Sequence, residues 1–178
     1  MPARWQDYAM ENPKEVLRKE LQSLRPHSSI GLTQQLSQLI EKLQPTTIAS
    51  YQPLAAEPDV TEFNDWAEKK FLVVFPKVVA DNLEFARGPV QPGRFGIAEP
   101  IGPRVGSIDL VLVPALAIDG QGNRLGKGKG FYDRFLANYE GACYAIVFDE
   151  EVLPSIPTES HDRRVNGVIT PKRTIVFD

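Results

Sequence analysis

Residues 108–133 read IDLVLVPALAIDGQGNRLGKGKGFYD. Leu110 to Val113 is apolar at every position and stops at Pro114, the pattern of a strand buried on both faces. The same kind of run recurs at Phe71–Phe75, stopped by Pro76, and at Tyr144–Phe148. Helical patterns lie between and before these runs. Asn12-Pro13-Lys14-Glu15 offers a cap, a proline pre-shaped for the first helical position and a capping-box acid. Val16, Leu17, Leu21 and Leu24 then follow at helical spacing up to Pro26. A second helix opens at Ser28 or Ser29, continues through Leu32, Leu36, Leu39, Ile40 and Leu43, and ends at Pro45. Thr46–Tyr51 is a short β-branched strand, and Asp59–Lys70 is a third helix with Val60, Phe63 and Trp66 on one face. Such alternation predicts an α/β fold with a mostly parallel sheet and helices on both sides. Arg87–Gly106 holds four Pro and five Gly, a long loop with room for one short strand. Loops of that length in a compact domain are usually functional or disordered.

The chain has 178 residues, and 42% of them are apolar. That is enough for one domain, residues 1–178, with a loosely ordered start at 1–11. A domain of about 150 residues buries roughly 70% of its unfolded surface, so it needs no staple. Twenty Lys and Arg against 23 Asp and Glu give a net charge of -3, which argues against duplex nucleic acid as a partner. Cys143 is the only cysteine, excluding an internal disulfide and a cysteine zinc site. It lies in a predicted buried strand and reads as an inert core thiol. The longest apolar run, Leu110–Ile118, falls far short of the roughly 20 residues a membrane span needs. Arg4, Asp7 and Glu11 interrupt Met1–Glu11, so it does not read as a signal peptide. The expectation is a soluble cytoplasmic protein.

The loop from Asp119 to Asp133 follows the Ile108–Val113 strand, where an open α/β sheet binds its ligands. Gly126, Gly128 and Gly130 allow close approach of the backbone and can aim successive N–H groups at one anion. Arg124, Lys127 and Lys129 add positive charge, and the following helix, with Phe131, Phe135 and Leu136 on its apolar face, adds its N-terminal dipole. This looks like a phosphate site, and a flexible solvated basic loop is about equally compatible with the spacing. The loop matches neither G-x-x-x-x-G-K-[ST] nor G-x-G-x-x-G.

Arg124-Leu125-Gly126-Lys127-Gly128-Lys129-Gly130-Phe131-Tyr132-Asp133 resembles the signature of the 5-formyltetrahydrofolate cyclo-ligases, and Val113–Asp119 resembles that family's lead-in. Further matches are Lys14-x-x-Leu17-Arg18, Tyr51–Glu57, Phe95-Gly96-Ile97-x-Glu99-Pro100, His161-Asp162 and Ile169-Thr170. The resemblance implies a three-layer α/β/α sandwich related to sugar-phosphate isomerases and CoA transferases. It also implies ATP- and Mg²⁺-dependent conversion of 5-formyltetrahydrofolate to 5,10-methenyltetrahydrofolate, with release of ADP and phosphate. ATP and the reduced folate are then the partners, with neither nucleic acid nor membrane, and the expected state is a monomer.

Carried over residue by residue, the resemblance gives the ATP site as Lys14, Arg18 and Arg124 through Tyr132. Lys127, Lys129 and Tyr132 take the catalytic positions. Glu57 and Phe95 contact the folate together with Lys127, Gly128, Lys129, Gly130 and Phe131, and Asp133 and Asp162 hold Mg²⁺. Blander readings stand beside these. Lys14 and Arg18 are also compatible with two solvated charges on a helix. Asp133 suits a first-turn acid, Asp162 a surface ion pair, and Glu57 a helix N-terminal acid beside Pro58. Phe95 is equally compatible with anchoring its loop in the core. Glu99-Pro100 matches without a role. Phe131 stands where the family more often has Tyr, and Asn166 where an Asp is common. Lys172-Arg173 suits either a glutamate tail or a solvated terminus. The alternatives are a sugar-phosphate or CoA-ester enzyme on the same fold, and a non-catalytic folate- or nucleotide-binding protein.

Overall fold

Apolar runs and amphipathic helices alternate along the chain, and the runs become strands between helical layers. In the computed structural model, which describes residues 12–177, the elements follow in this order: α1 (Pro13–Leu24), α2 (Leu32–Leu43), β1 (Thr47–Ala49), α3 (Thr61–Ala67), β2 (Leu72–Val79), β3 (Asn82–Ala86), β4 (Val90–Pro92), β5 (Ala98–Pro100), β6 (Leu110–Pro114), β7 (Ala117–Asp119), β8 (Arg124–Leu125), α4 (Phe131–Leu136), β9 (Ala142–Ile146), β10 (Val152–Leu153), β11 (Gly167–Ile169) and β12 (Thr174–Val176). The expectations for residues 1–11 lie outside the described residues.

Seven strands form the main sheet in the order β12-β11-β9-β6-β1-β2-β3. Its interior pairings are parallel, and only the edge pairs β11–β12 and β2–β3 are antiparallel. Period-2 alternation splits the strand residues between two cores. Ile48, Leu110, Leu112 and Ile146 face Leu36, Ile40 and Phe63 of α2 and α3. Ala49, Val111, Val113 and Ala145 face Leu136, Phe131 and Phe135 of α4. The result is the expected three-layer α/β arrangement. Each fully buried Leu, Ile or Phe contributes about 1.5–3 kcal/mol, so both faces are held firmly. Helix α1 packs apart from them, with Leu17 and Leu21 against Leu116, Leu125 and Ile156.

Several boundaries differ from the sequence expectations. Helix α2 begins at Leu32, because Gly31 takes φ +97° just before it; Ser29 Oγ instead accepts the Asp59 N–H at 2.8 Å. Helix α3 is shorter than expected, starting where Asp59 Oδ1 accepts the Thr61 N–H. Strand β2 runs through Pro76 rather than stopping there. β1 pairs only with residues 72–74, so the continuation of β2 is an edge on that side, where proline is tolerated. The Arg87–Gly106 segment holds a two-stranded hairpin, β4–β5, around a 3₁₀ turn at Arg94–Gly96. The Asn12 carboxamide caps α1 as expected, accepting the Lys14 N–H at 2.9 Å, whereas Glu15 pairs with Arg18.

Candidate active site

The chain forms β1, adds β2 on one side of it, and later places β6 on the other side. That reversal of direction leaves a crevice at the carboxyl ends of the parallel strands. Tyr51, Pro76 and Pro114, at or just beyond those ends, line a cleft of about 450 Å³. The glycine loop covers it from one side, α1 from another, and the β4–β5 hairpin from a third. Every site residue expected from the sequence lies on its wall: Lys14, Arg18, Glu57, Phe95, Arg124 through Asp133, and Asp162.

Gly128 and Gly130 both adopt left-handed backbone, with φ +97° and +68°, which a side chain would strain. The N–H groups of residues 126–130 donate to no acceptor among the described residues. They form the open run of donors expected of an anion nest. The carbonyl of Gly126 is turned the other way and accepts from Arg18 Nε at 2.8 Å. The following helix α4 has only six residues, so these donors, rather than its dipole, make the loop suitable for an anion.

The expected surplus of positive charge is absent, because the cleft cations are matched by acids. Lys14, 5% exposed, contacts Asp162 at 2.6 Å and Glu159 at 2.7 Å. Arg124 holds Asp133 at 2.6 Å, Lys127 holds Glu57 at 2.5 Å, and Arg18 pairs with Glu15. Charges drawn out of water must be compensated, so this sequence supplies a carboxylate for each of these four; Lys129 alone rests on the Phe95 ring instead. Burial alone would lower the Lys14 pKa, but the hydrogen bonds and charges of Asp162 and Glu159 hold it above its ordinary value. Asp162 is likewise partly desolvated and yet held below the usual range by Lys14 and the Glu159 N–H. The solvated-charge reading of Lys14 is thereby excluded, and Asp162 is more than a loose surface pair.

Glu57 is buried, and its second oxygen accepts the Leu54 N–H at 2.8 Å. It sits in a turn before α3 and caps no helix. Tyr132 points its hydroxyl into a region without solvent, and that hydroxyl has no hydrogen-bond partner. Burial first, then the nearby Glu57 carboxylate, pushes its pKa far upward, with Arg124 opposing. The phenol is neutral at physiological pH. Opposite, Phe95 is 47% exposed and adopts φ +59°, ψ +24°, costing about 1–2 kcal/mol for a residue with a Cβ. Its ring lies 6.0 Å from that of Phe131, with Lys129 Nζ 4.0 Å from its centre. Phe95 therefore faces the cleft and does not anchor its loop in the core.

Asp133 and Asp162 offer hard oxygen donors on one cleft wall, the kind Mg²⁺ takes in ones and twos alongside phosphate and water. Asp133 Oδ1 is engaged by Arg124 and the Arg163 N–H, while Oδ2 makes no hydrogen bond among the described residues. Their donor chemistry suits Mg²⁺, although both Asp162 oxygens are engaged by Lys14 and the Glu159 N–H. A cluster within 4.8 Å joins Asp162 to Glu159 and His161 and does not include Asp133. Sequence reading missed Glu159 and Gln52 and left Glu99 without a role, yet all three line the cleft. The acid three residues before Asp162 was a readable signal for Glu159, and Gln52 lies within the Tyr51–Glu57 match. Asn166 lies away from the cleft, its Oδ1 accepting the Cys143 N–H at 2.8 Å. Lys172 and Arg173 pair with Glu150 and Asp149. Cys143 is buried, and burial raises its thiol pKa.

The family model for 5-formyltetrahydrofolate cyclo-ligases matches residues 10–171. The chain belongs to this family. A 5-formyltetrahydrofolate cyclo-ligase of Mycolicibacterium smegmatis is 38% identical over 152 residues, covering 76% of this chain and 78% of that one. The solved structure of Aquifex aeolicus 5,10-methenyltetrahydrofolate synthetase is similar with a TM-score of 0.80 and 28% identity, covering 93% of each chain. A 5,10-methenyltetrahydrofolate synthetase structure from Mycoplasma pneumoniae shares the fold with a TM-score of 0.74 at 23% identity, over 90% of this chain and 99% of that one. No helix among the described residues is long and apolar enough to cross a membrane.

Proposed function

We propose that this protein, as a member of the cyclo-ligase family, converts 5-formyltetrahydrofolate to 5,10-methenyltetrahydrofolate, and that it does so with ATP, releasing ADP and phosphate. The observation that carries this reading is a single cleft lined by the open N–H donors of residues 126–130, by Lys14 and Arg18, and by Glu57 and Phe95. An amide oxygen is a poor leaving group. In the proposed reaction the formyl oxygen attacks the γ-phosphorus and ADP departs. N10 then adds to the activated carbon and passes its proton to the phosphate, which leaves with the former formyl oxygen. Phosphoryl transfer of this kind needs alignment and charge neutralisation more than a strong base.

The residues divide accordingly. The loop N–H groups, Lys127 and Lys129 meet the transferring phosphoryl group, and Arg18, Lys14 and Arg124 meet the remaining phosphates. Tyr132, neutral and unpartnered, donates a hydrogen bond to an oxygen of the reacting centre. Glu57 accepts from the pterin's amino-pyrimidinone edge, while Phe95 and Phe131 cover the ring. Asp133 and Asp162 would hold Mg²⁺, which supplies positive charge that offsets the phosphate oxygens. Binding then proceeds by exchange of partners: phosphate takes Lys127, and the freed Glu57 takes the pterin. On this reading the protein works in the cytoplasm as a monomer on two small molecules.

The test is near-ultraviolet detection of methenyltetrahydrofolate from purified protein and (6S)-5-formyltetrahydrofolate. Product that needs both Mg²⁺ and ATP is expected. Folate and ATP binding without product would refute catalysis and leave the binding-protein alternative.

A further inference from the structure

Glu99 lines the cleft but makes no ion pair among the described residues. Its bonding is to backbone. From β5, its Oε1 accepts the Val78 N–H of β2 at 3.1 Å. Val78 lies in the part of β2 beyond its pairing with β1, so this N–H belongs to an open strand edge. The Glu99 stem lies flat on Gly93: a Cβ there would come within 2.3 Å of Glu99 Cγ and 2.6 Å of Cδ. Gly93 in turn opens the turn that presents Phe95, with its N–H bonded to Ile97 O at 2.9 Å and the Ile97 N–H to Arg94 O at 3.2 Å. Phe95 at the tip is left-handed and half-exposed. A strained exposed residue keeps its conformation only where its surroundings hold it, and Glu99 links that turn to the central sheet.

We propose that Glu99 is a positioning residue for the reduced-folate subsite, tying the Phe95 turn to β2 so that the ring stands over the bound pterin. This rests on Phe95 covering the folate. Glu99 then acts on folate affinity and not on phosphoryl transfer.

Glu99→Ala removes both the acceptor and the stem, and we expect the KM for 5-formyltetrahydrofolate to rise about tenfold. The KM for ATP and kcat stay within about twofold, because Lys14, Arg18 and Arg124 take their partners outside the hairpin and Lys129 alone among the loop's cations rests on the Phe95 ring. Glu99→Gln keeps the stem and a carbonyl acceptor and restores the folate KM. Gly93→Ala, whose Cβ would meet both the Glu99 stem and Ile97 O at 2.7 Å, also raises the folate KM. In a double variant with Phe95→Ala, the two losses are not additive.

A Gln variant as impaired as the Ala variant would show direct charge recognition of substrate and overturn the proposal. So would a fall in kcat at constant KM, or additive losses with Phe95→Ala. An unchanged folate KM in Phe95→Ala would overturn both this inference and the placement of that ring. A wild-type protein that forms no product fails the cyclo-ligase reading before any variant is compared.

Discussion

The Tyr132 hydroxyl is buried and unpartnered, a cost to the folded state that its proposed role explains. Replacing it by Phe removes an unsatisfied polar atom and keeps the ring. Tyr132→Phe should therefore raise the melting temperature by about 2–4 °C for a gain near 1 kcal/mol. It should also lower kcat by at least about tenfold, with both KM values nearly constant. Lost stability with full activity would remove Tyr132 from the reacting centre. Lys127 and Glu57 make a second residue-scale prediction. A nearly buried carboxylate cannot lose its cation cheaply, so 5-formyltetrahydrofolate should bind more tightly when a non-hydrolysable ATP analogue occupies Lys127. Calorimetric titration should show a gain of about fivefold or more in the wild type and none in Lys127→Met. Equal affinity with and without the analogue in the wild type would refute the exchange. Tyr132 and Lys127 were legible because they fall within a ten-residue signature, and Glu57 because it ends the Tyr51–Glu57 match. Their pairing was not, since Lys127 and Glu57 are 70 positions apart and only the fold joins them.

Helix α1 brings Lys14 and Arg18 to the cleft, yet it packs on a small satellite cluster outside the two main cores. Its C-terminal end is fixed by Arg25, which donates to Ala115 O at 2.6 Å and contacts Glu151 at 2.8 Å. Both partners are nearly fully buried. Arg25→Met leaves Glu151 uncompensated and should cost about 3–5 kcal/mol in denaturant unfolding. Adding Glu151→Leu should recover most of that loss. Additive losses would show that the residues act separately. Burial outweighs the Phe148 N–H and Arg25 and holds Glu151 above its ordinary 4.5. The native state thus keeps its proton to higher pH than the unfolded chain does. Its contribution is most favourable on the acid side and declines as pH rises from 4.5 through the folded value. The double variant should lack that decline when its melting temperature is compared with the wild type across this window. An identical pH dependence would contradict the assignment. Arg25 follows the helix next to a proline and gives no sequence sign of burial, whereas α1 itself was readable from its cap and leucine spacing.

At the scale of the molecule, a strand-order reversal at β1 opens a crevice and three segments close around it. Strands β2, β6 and β9 were legible because their runs lack alternation, as strands covered on both faces must, and β1 from its β-branched residues; the short β11 and β12 were not read. Strand β3, the β4–β5 hairpin and the two-residue strands β8 and β10 were not either, because short edge pieces carry too few residues for a period. The hairpin matters most among these, since it turns a proline- and glycine-rich loop into the mount for Phe95. The cleft's charge balance was also hidden, as sequence shows basic residues clustered in the loop but not the acids folded against them. The central claim is that this cleft activates the formyl oxygen by phosphorylation and closes the ring onto N10. The most direct measurement uses 5-formyltetrahydrofolate carrying ¹⁸O in the formyl group, with single-turnover analysis of the phosphate released. The account predicts one ¹⁸O atom in inorganic phosphate for each methenyl product formed. Methenyl product with the label in water and unlabelled phosphate would contradict it.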